Sequence, residues 1–340
     1  SDQIGCELKN DPQLTTYDRE TVNFPFPCRY LASHVKPSLI DRHGNVIGYC
    51  EAKVYGMNAK YDGKMFVMGF DVALKIVYTQ NNKIVESSYR QYGSADNNEN
   101  DVVAFGKNGA WAPFVPDGTD DISYKDAPKG IQIDTHWDHR VNRFSYTVTG
   151  CGLKVTFVPY DRSLKLNQRQ VPGLSVSVLN THAPEHLSPT DAVCMVPTAA
   201  GGHTLNDITL LGLSQERSVL LRAFKNQPTQ NLPFPVDGSS NAQCSAIGDI
   251  LNNCQLARQK EAISNCDWIL KNPHFMKCYD RERGSPHLIS LFKSCVEAWC
   301  VNRPCTDTID SITNKGCNAI GKVPRLASFV AGVMCPSPIP

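Results

Sequence analysis

The chain changes its hydrophobic period along its length. Over the first two hundred or so residues, short runs rich in Val, Phe, Tyr, Leu and Ile recur: Lys64–Tyr78 (KMFVMGFDVALKIVY), Arg143–Thr149, Gly152–Val158 and Gly173–Leu179 (GLSVSVL). Several alternate with polar residues, as half-buried strands do. Between them lie turn signals, His43-Gly44-Asn45, Asp62-Gly63, Asn81-Asn82 and Asp117-Gly118. Many strands with short turns predict an antiparallel sandwich or barrel. Residues 204–230 fit neither period, and Gln227–Ser240, with three prolines and a Gly-Ser-Ser, reads as a linker. Beyond it, Ala246–Ala257, Lys260–Leu270 and Pro286–Trp299 place apolar residues three and four apart, predicting short amphipathic helices.

Composition narrows the partners. With 41% hydrophobic and 20% charged residues in 340, the chain can bury a real core. Lys+Arg of 34 against Asp+Glu of 33 leaves +1, so neither nucleic acid nor an anionic membrane is expected as partner. No apolar run is long enough to span a bilayer. The polar start, Ser1-Asp2-Gln3, is expected to follow a removed or omitted signal peptide. There is no Asn-x-Ser/Thr acceptor, so N-glycosylation is not expected.

The 14 cysteines add most. Their number and spacing fit a disulfide framework made in an oxidising, extracellular setting better than zinc sites. Residues 1–200 hold five (Cys6, Cys28, Cys50, Cys151, Cys194) and residues 244–335 hold nine. Both counts are odd, so complete pairing within the chain needs at least one bridge between the two regions. The dense cysteines would also brace helices too short to stand alone.

Two stretches carry a family resemblance. The first is Cys6, Asp11-Pro12-Gln13-Leu14-Thr15-Thr16-Tyr17-Asp18, then Asn23-Phe24-Pro25-Phe26-Pro27-Cys28-Arg29-Tyr30-Leu31-Ala32. It resembles the start of a von Willebrand factor type D domain, where a Cys and an Asp-Pro precede Thr-aromatic-Asp and then a Phe/Pro segment ending in Cys-x-Tyr-x-Leu. The second is Cys266-x11-Cys278, Cys295-x4-Cys300, Cys305 and Cys317, with Gly321-Lys322-Val323 leading to Cys335-Pro336. It is similar to the C8 module that follows such domains.

The resemblance implies a β-rich antiparallel sandwich over residues 1–226, a linker over 227–243, and a small disulfide-rich helical module over 244–340. It also implies pairing of Cys6 with Cys194, leaving Cys50 with Cys151, while Cys28 reaches forward to Cys244 or Cys254.

The sequence departs from the family in two places. The family's Gly-Leu-Cys-Gly-Asn-like turn, whose oxygens help bind calcium, corresponds here to Ala192-Val193-Cys194-Met195-Val196, without the Gly-Asn. Asn206-Asp207-Ile208-Thr209 resembles the later acidic part of that loop, and Asp18 the acidic residue of the first motif. Asp18, Asn206 and Asp207 are therefore the candidate calcium ligands, three side chains where the ion takes six to eight oxygens. The competing expectation is that Asp18 caps a turn. Size is the other departure. Asp18 and Cys194 lie 176 residues apart, and the excess is assigned to an enlarged insertion near 89–140, which carries DNNEND, DGTDD, Trp111 and Trp137.

Catalytic signatures are sparse. Gly173-Leu174-Ser175-Val176-Ser177 lacks the second glycine of a nucleophile elbow, and His182-Ala183-Pro184-Glu185-His186 puts proline where a zinc-binding helix would be needed. The densest polar cluster is His136-Trp137-Asp138-His139-Arg140. On a strand, histidines three apart face opposite sides, so a surface turn with solvated imidazoles is the default.

Two functions follow. One is a secreted binding or structural protein of a mucus, adhesive, egg-coat or matrix setting, with an extracellular macromolecule as partner. The other follows from ostracod luciferases, which are built from type D and C8 modules. It is a luciferase-like, metal-independent oxygenase that oxidises a small apolar or aromatic luciferin with molecular oxygen. Its candidate residues are His136, His139, Trp111 and Trp137, in a dry pocket with a base.

Overall fold

The computed structural model describes residues 3–10, 12–61, 64–94, 102–107, 110–114, 121–124, 131–138, 143–160, 171–182, 192–194, 208–229, 238–271 and 286–301. Among these residues fifteen strands form two antiparallel sheets. In chain order they are β1 (Gln3–Lys9), β2 (Gln13–Thr15), β3 (Thr21–Asn23), β4 (Arg29–Val35), β5 (Ser38–Ile40), β6 (Val46–Tyr61), β7 (Lys64–Gln80) and β8 (Lys83–Ser94). They continue as β9 (Val102–Lys107), β10 (Ala110–Phe114), β11 (Asp121–Tyr124), β12 (Gln132–Asp138), β13 (Arg143–Thr149), β14 (Leu153–Val158) and β15 (Gly173–Leu179). The first sheet runs β11-β12-β13-β14-β15-β1-β2-β3; the second runs β10-β9-β8-β7-β6-β4, with β5 also on β6.

The alternation read from the sequence becomes burial. Along β13 the pattern is strict, with Phe144, Tyr146 and Val148 at 1% exposure or less while Ser145 and Thr147 are half-buried. In register with Phe144 stand Phe157 on β14, Leu174 on β15, Leu8 on β1 and Leu14 on β2, all buried. From the second sheet Phe70 of β7 meets this row, with ring centroids 5.0 Å from Phe144 and 5.1 Å from Phe157. Gly93 lies beneath Phe70, where a Cβ would come 2.5 Å from the ring's Cε1. The β7–β8 hairpin turns on Asn81 and Asn82, at φ 51° and 60°, the left-handed pair that a two-residue hairpin requires.

The described part of the 89–140 stretch is strand rather than free loop. β9 and β10 extend the second sheet from β8, and β11 and β12 extend the first from β13. Acidic and turn residues dominate the composition there and hide this pairing. Outside the sandwich interior, Leu31, Tyr55, Met57, Phe66 and Met68 form a smaller second core, and Tyr160 stacks on Phe66 at 4.0 Å.

Among the described residues five α-helices follow: α1 (Gln215–Lys225), α2 (Gly238–Asn252), α3 (Leu256–Cys266), α4 (Trp268–Lys271) and α5 (Pro286–Cys300). The first occupies the stretch with no clear period. Ser214 caps it by accepting from the Arg217 N–H at 3.3 Å, while Glu216 in the first turn and Arg222 and Lys225 in the last suit the helix dipole. Although it lies on the β side of the expected boundary at 226, α1 packs on α2 and α3. The second helix begins at Gly238, inside the expected linker 227–243, because Gly-Ser-Ser suits a helix start as well as a turn. Asp267, 3% exposed at its side chain, accepts from Arg217 Nε at 2.9 Å and Lys271 Nζ at 3.0 Å, holding α1 to the α3–α4 corner.

Candidate functional site

All ten described cysteines are in disulfides. Cys6 on β1 pairs with Cys194, whose segment hydrogen-bonds along β4 through Val193 N to Leu31 O and Cys194 N to Ala32 O, both 2.8 Å. Cys50 on β6 pairs with Cys151 in the β13–β14 turn and so pins one sheet to the other. Of the two partners open to Cys28, the structure takes Cys244 on α2, with Cα atoms 6.2 Å apart. That bridge is the crossing link which the odd cysteine counts require. Cys254–Cys300 and Cys266–Cys295 join the helices to one another. Cys278, Cys305, Cys317 and Cys335 lie outside the described residues.

Of the expected calcium ligands only Asp18 is among the described residues. Asp18 is half-buried in the β2–β3 hairpin turn, closed by Thr16 N to Glu20 O at 2.9 Å and Arg19 N to Thr16 O at 3.0 Å, with Arg19 at φ 64°. Asn206 and Asp207 lie outside the described residues. Among the described residues no group of three or more His, Cys, Asp or Glu side chains could hold a metal ion.

The candidate catalytic cluster is only partly described. His136 is exposed on β12, in register with Asp121 on β11 and Ser145 on β13. Its neighbours two residues away, Asp134 and Asp138, are half-buried, whereas Ile133 and Thr135 are buried toward the sandwich. Trp111 is a position of β10 and Trp137 of β12, their side chains lying outside what is described, as does His139 altogether.

What the sheet builds around His136 is a surface. In one continuous register run His136, Ser145, Thr156, Ser175, Glu7, Thr15 and Thr21, across seven strands. Every one of these is exposed or half-buried. The parallel row Asp134, Thr147, Lys154, Ser177 and Gly5 has the same character. Thr15 and Thr21 hydroxyls pair at 3.1 Å, Gln132 Nε2 donates to Asp134 Oδ1 at 2.7 Å, and Lys9 sits 3.4 Å from Glu7. The face is thus hydroxyl-lined, with scattered charges of both signs and an apolar interior directly behind it. Sequence reading missed it, although the hydroxyls at alternate positions of FSYTVT, LKVTFV and GLSVSVL are its signal.

The second sheet carries the buried Asp71 and the half-buried Glu51. Asp71 on β7 has no exposed side-chain area and accepts from Arg90 at both oxygens, Nε donating to Oδ1 at 3.2 Å and Oδ2 at 3.0 Å and a terminal nitrogen to Oδ2 at 2.6 Å. Burial pushes the Asp71 carboxyl above the usual carboxylate range, and the Arg90 guanidinium offsets only part of that. Glu51, shared by His34 and Lys36 at 3.2 Å each, shows the reverse outcome. Burial raises it, but those two partners outweigh burial and hold it low. Neither pair opens into a described cavity. A groove between β4, segment 192–194 and α1, lined by Tyr30, Leu31, Val193, Val219, Arg222 and Asn226, encloses about 10 Å³, room for one water.

Among the described residues no helix is long and apolar enough to cross a membrane. No protein-family model matches the chain, and comparison with the curated proteins finds no match.

Proposed function

We propose that the protein is a secreted extracellular binding or structural protein built on one von Willebrand type D plus C8 assembly, working in a mucus, adhesive, egg-coat or matrix setting. The observation that carries this reading is the open, hydroxyl-lined face of the eight-stranded sheet over an aromatic interior. Such a face suits a broad polar contact with a macromolecule, since interfaces outside the obligate class are about as polar as ordinary surface. The disulfides support an oxidising compartment, where covalent bracing persists. The near-neutral charge supports a partner other than nucleic acid.

The oxygenase alternative calls for a base in a water-poor pocket. His136 stands on the wet face, which favours the binding reading.

The test is sedimentation velocity of the purified protein, with surface plasmon resonance against immobilised copies of itself and purified mucin and matrix glycoproteins. Self-association or saturable binding is expected, weakened at least tenfold by Ser145→Arg with Ser175→Arg at unchanged thermal midpoint. Light emission with a luciferin in aerated buffer, with no binding to any of these surfaces, would overturn the reading.

A further inference from the structure

The five disulfides among the described residues differ in their access to solvent. Cys6, Cys194, Cys28, Cys244, Cys50, Cys151, Cys266 and Cys295 are all at 3% exposure or less. Cys254 and Cys300 are both only half-buried. Their bridge fastens the corner after α2 to the last residue of α5.

The two ends of this bridge are also anchored without it. Cys254 N donates to Leu251 O at 3.2 Å, and its carbonyl accepts from Gln259 Nε2 at 2.7 Å, so hydrogen bonds define the α2–α3 corner. Five residues before Cys300, Cys295 ties α5 to α3 through the buried Cys266. Upstream of that point Leu288, Ile289, Leu291 and Phe292 are at 1% exposure or less. Because the Cys266–Cys295 link lies inside the 254–300 loop, it keeps most of that loop closed when the outer bridge opens.

We propose that Cys254–Cys300 is a redox-addressable clasp on the C-terminal turn of α5, opened by a small monothiol while the rest of the fold stays intact. The thiolate attacks one sulfur of the bridge and forms a mixed disulfide, and the other cysteine leaves as a thiolate that takes a proton. A second thiol resolves the mixed disulfide. Both cysteines end as thiols, and the two reductant molecules end as their own disulfide. Opening frees the turn around Val296, Ala298 and Trp299, of which the first two are fully buried when the clasp is shut. Accessible bridges are the ones that exchange in this way, and buried ones wait for unfolding.

The experiment is graded reduction of the intact, folded protein with reduced glutathione, quenching with N-ethylmaleimide and mass mapping of the labelled peptides. Among the five described bridges, Cys254 and Cys300 are expected to label together at least tenfold faster than the eight cysteines of the other four. Hydrogen exchange should rise at least tenfold over residues 296–301 and stay unchanged in α2 and α3. The double variant Cys254→Ser with Cys300→Ser should be secreted, unfold cooperatively and show the same local exchange. Earlier or simultaneous labelling at Cys266 and Cys295, labelling only after global unfolding, or a double variant that does not fold would each overturn the clasp.

Discussion

Phe26, just ahead of β4, meets Phe224 of α1 edge to face, with ring centroids 4.6 Å apart. Phe224 then stacks on Phe292 of α5 at 4.7 Å, while Phe26 stacks on Phe24 at 5.2 Å. A line of four rings therefore runs from the sandwich into the helices, beside the Cys28–Cys244 bridge. Such pairs add to the area they bury, and Phe224 is fully buried.

Truncating the middle ring tests this continuity. Phe224→Ala is expected to destabilise the protein by about 3–5 kcal/mol, and Phe224→Leu by clearly less. Urea unfolding followed by fluorescence and circular dichroism measures both. A loss below about 1 kcal/mol for Phe224→Ala would mean that sandwich and helices do not share a core.

The Asp71–Arg90 pair is asymmetric, with the aspartate side chain wholly buried and the arginine 29% exposed. Arg90→Met strands a buried carboxylate and is expected to cost about 3–5 kcal/mol near neutral pH. Asp71→Asn leaves a cation that can reach water and should cost less. The folded-state affinity of Asp71 for its proton is already raised by burial, and losing Arg90 raises it further. A carboxyl raised in the folded state stabilises below its unfolded pKa and loses that contribution as pH rises through the folded one. The Arg90→Met deficit should therefore shrink as pH falls toward about 4. Chemical denaturation at several pH values checks it, and a deficit that grows in acid would contradict the assignment.

Close approach of backbone to rings gives a third expectation. A Cβ at Gly93 would lie 2.5 Å from Phe70, and one at Gly56 would lie 2.7 Å from the Tyr30 ring. Gly93→Ala and Gly56→Ala should each cost about 1–3 kcal/mol by overpacking, seen as a lower urea midpoint at unchanged slope.

Tyr17 and Tyr30 should be silent in an alkaline titration of the native protein. Burial pushes both phenols up, against the pull of Ser33 on Tyr17, whose oxygens are 2.6 Å apart. Tyr30 donates to Asn58 Oδ1 at 2.8 Å, and Asn58 in turn donates to Phe26 O at 3.0 Å. Because their folded pKa values exceed the unfolded ones, both groups stabilise below about pH 10 and lose that contribution as pH rises. Phenolate absorbance should show them ionising only with alkaline unfolding. Early ionisation of either, resolved by Tyr17→Phe and Tyr30→Phe, would contradict their burial.

The legible part of the fold is the part written in local period. Arg143–Thr149 and Gly173–Leu179 alternate so regularly that their strands coincide with the expected bounds. The β9–β12 additions were not legible, because their partners β8 and β13 lie on either side of an acidic, turn-rich stretch. Helix α1 shows no clear period because its apolar face is completed by Phe26 and Phe292, both far away in sequence. The histidine pair stands out as a motif, yet alternation alone places His136 on the wet side of β12. The hydroxyl rows are not legible in the sequence, since each strand contributes only one or two members and only the register lines them up.

The Cys28–Cys244 bridge makes the sandwich and the helices one covalent unit, and a disulfide map of the purified, unreduced protein tests that most directly. Digestion at acid pH, which suppresses exchange, followed by mass spectrometry should return a peptide joining Cys28 to Cys244, together with Cys6–Cys194 and Cys50–Cys151. A Cys28 bridge that stays within residues 1–200 would contradict it.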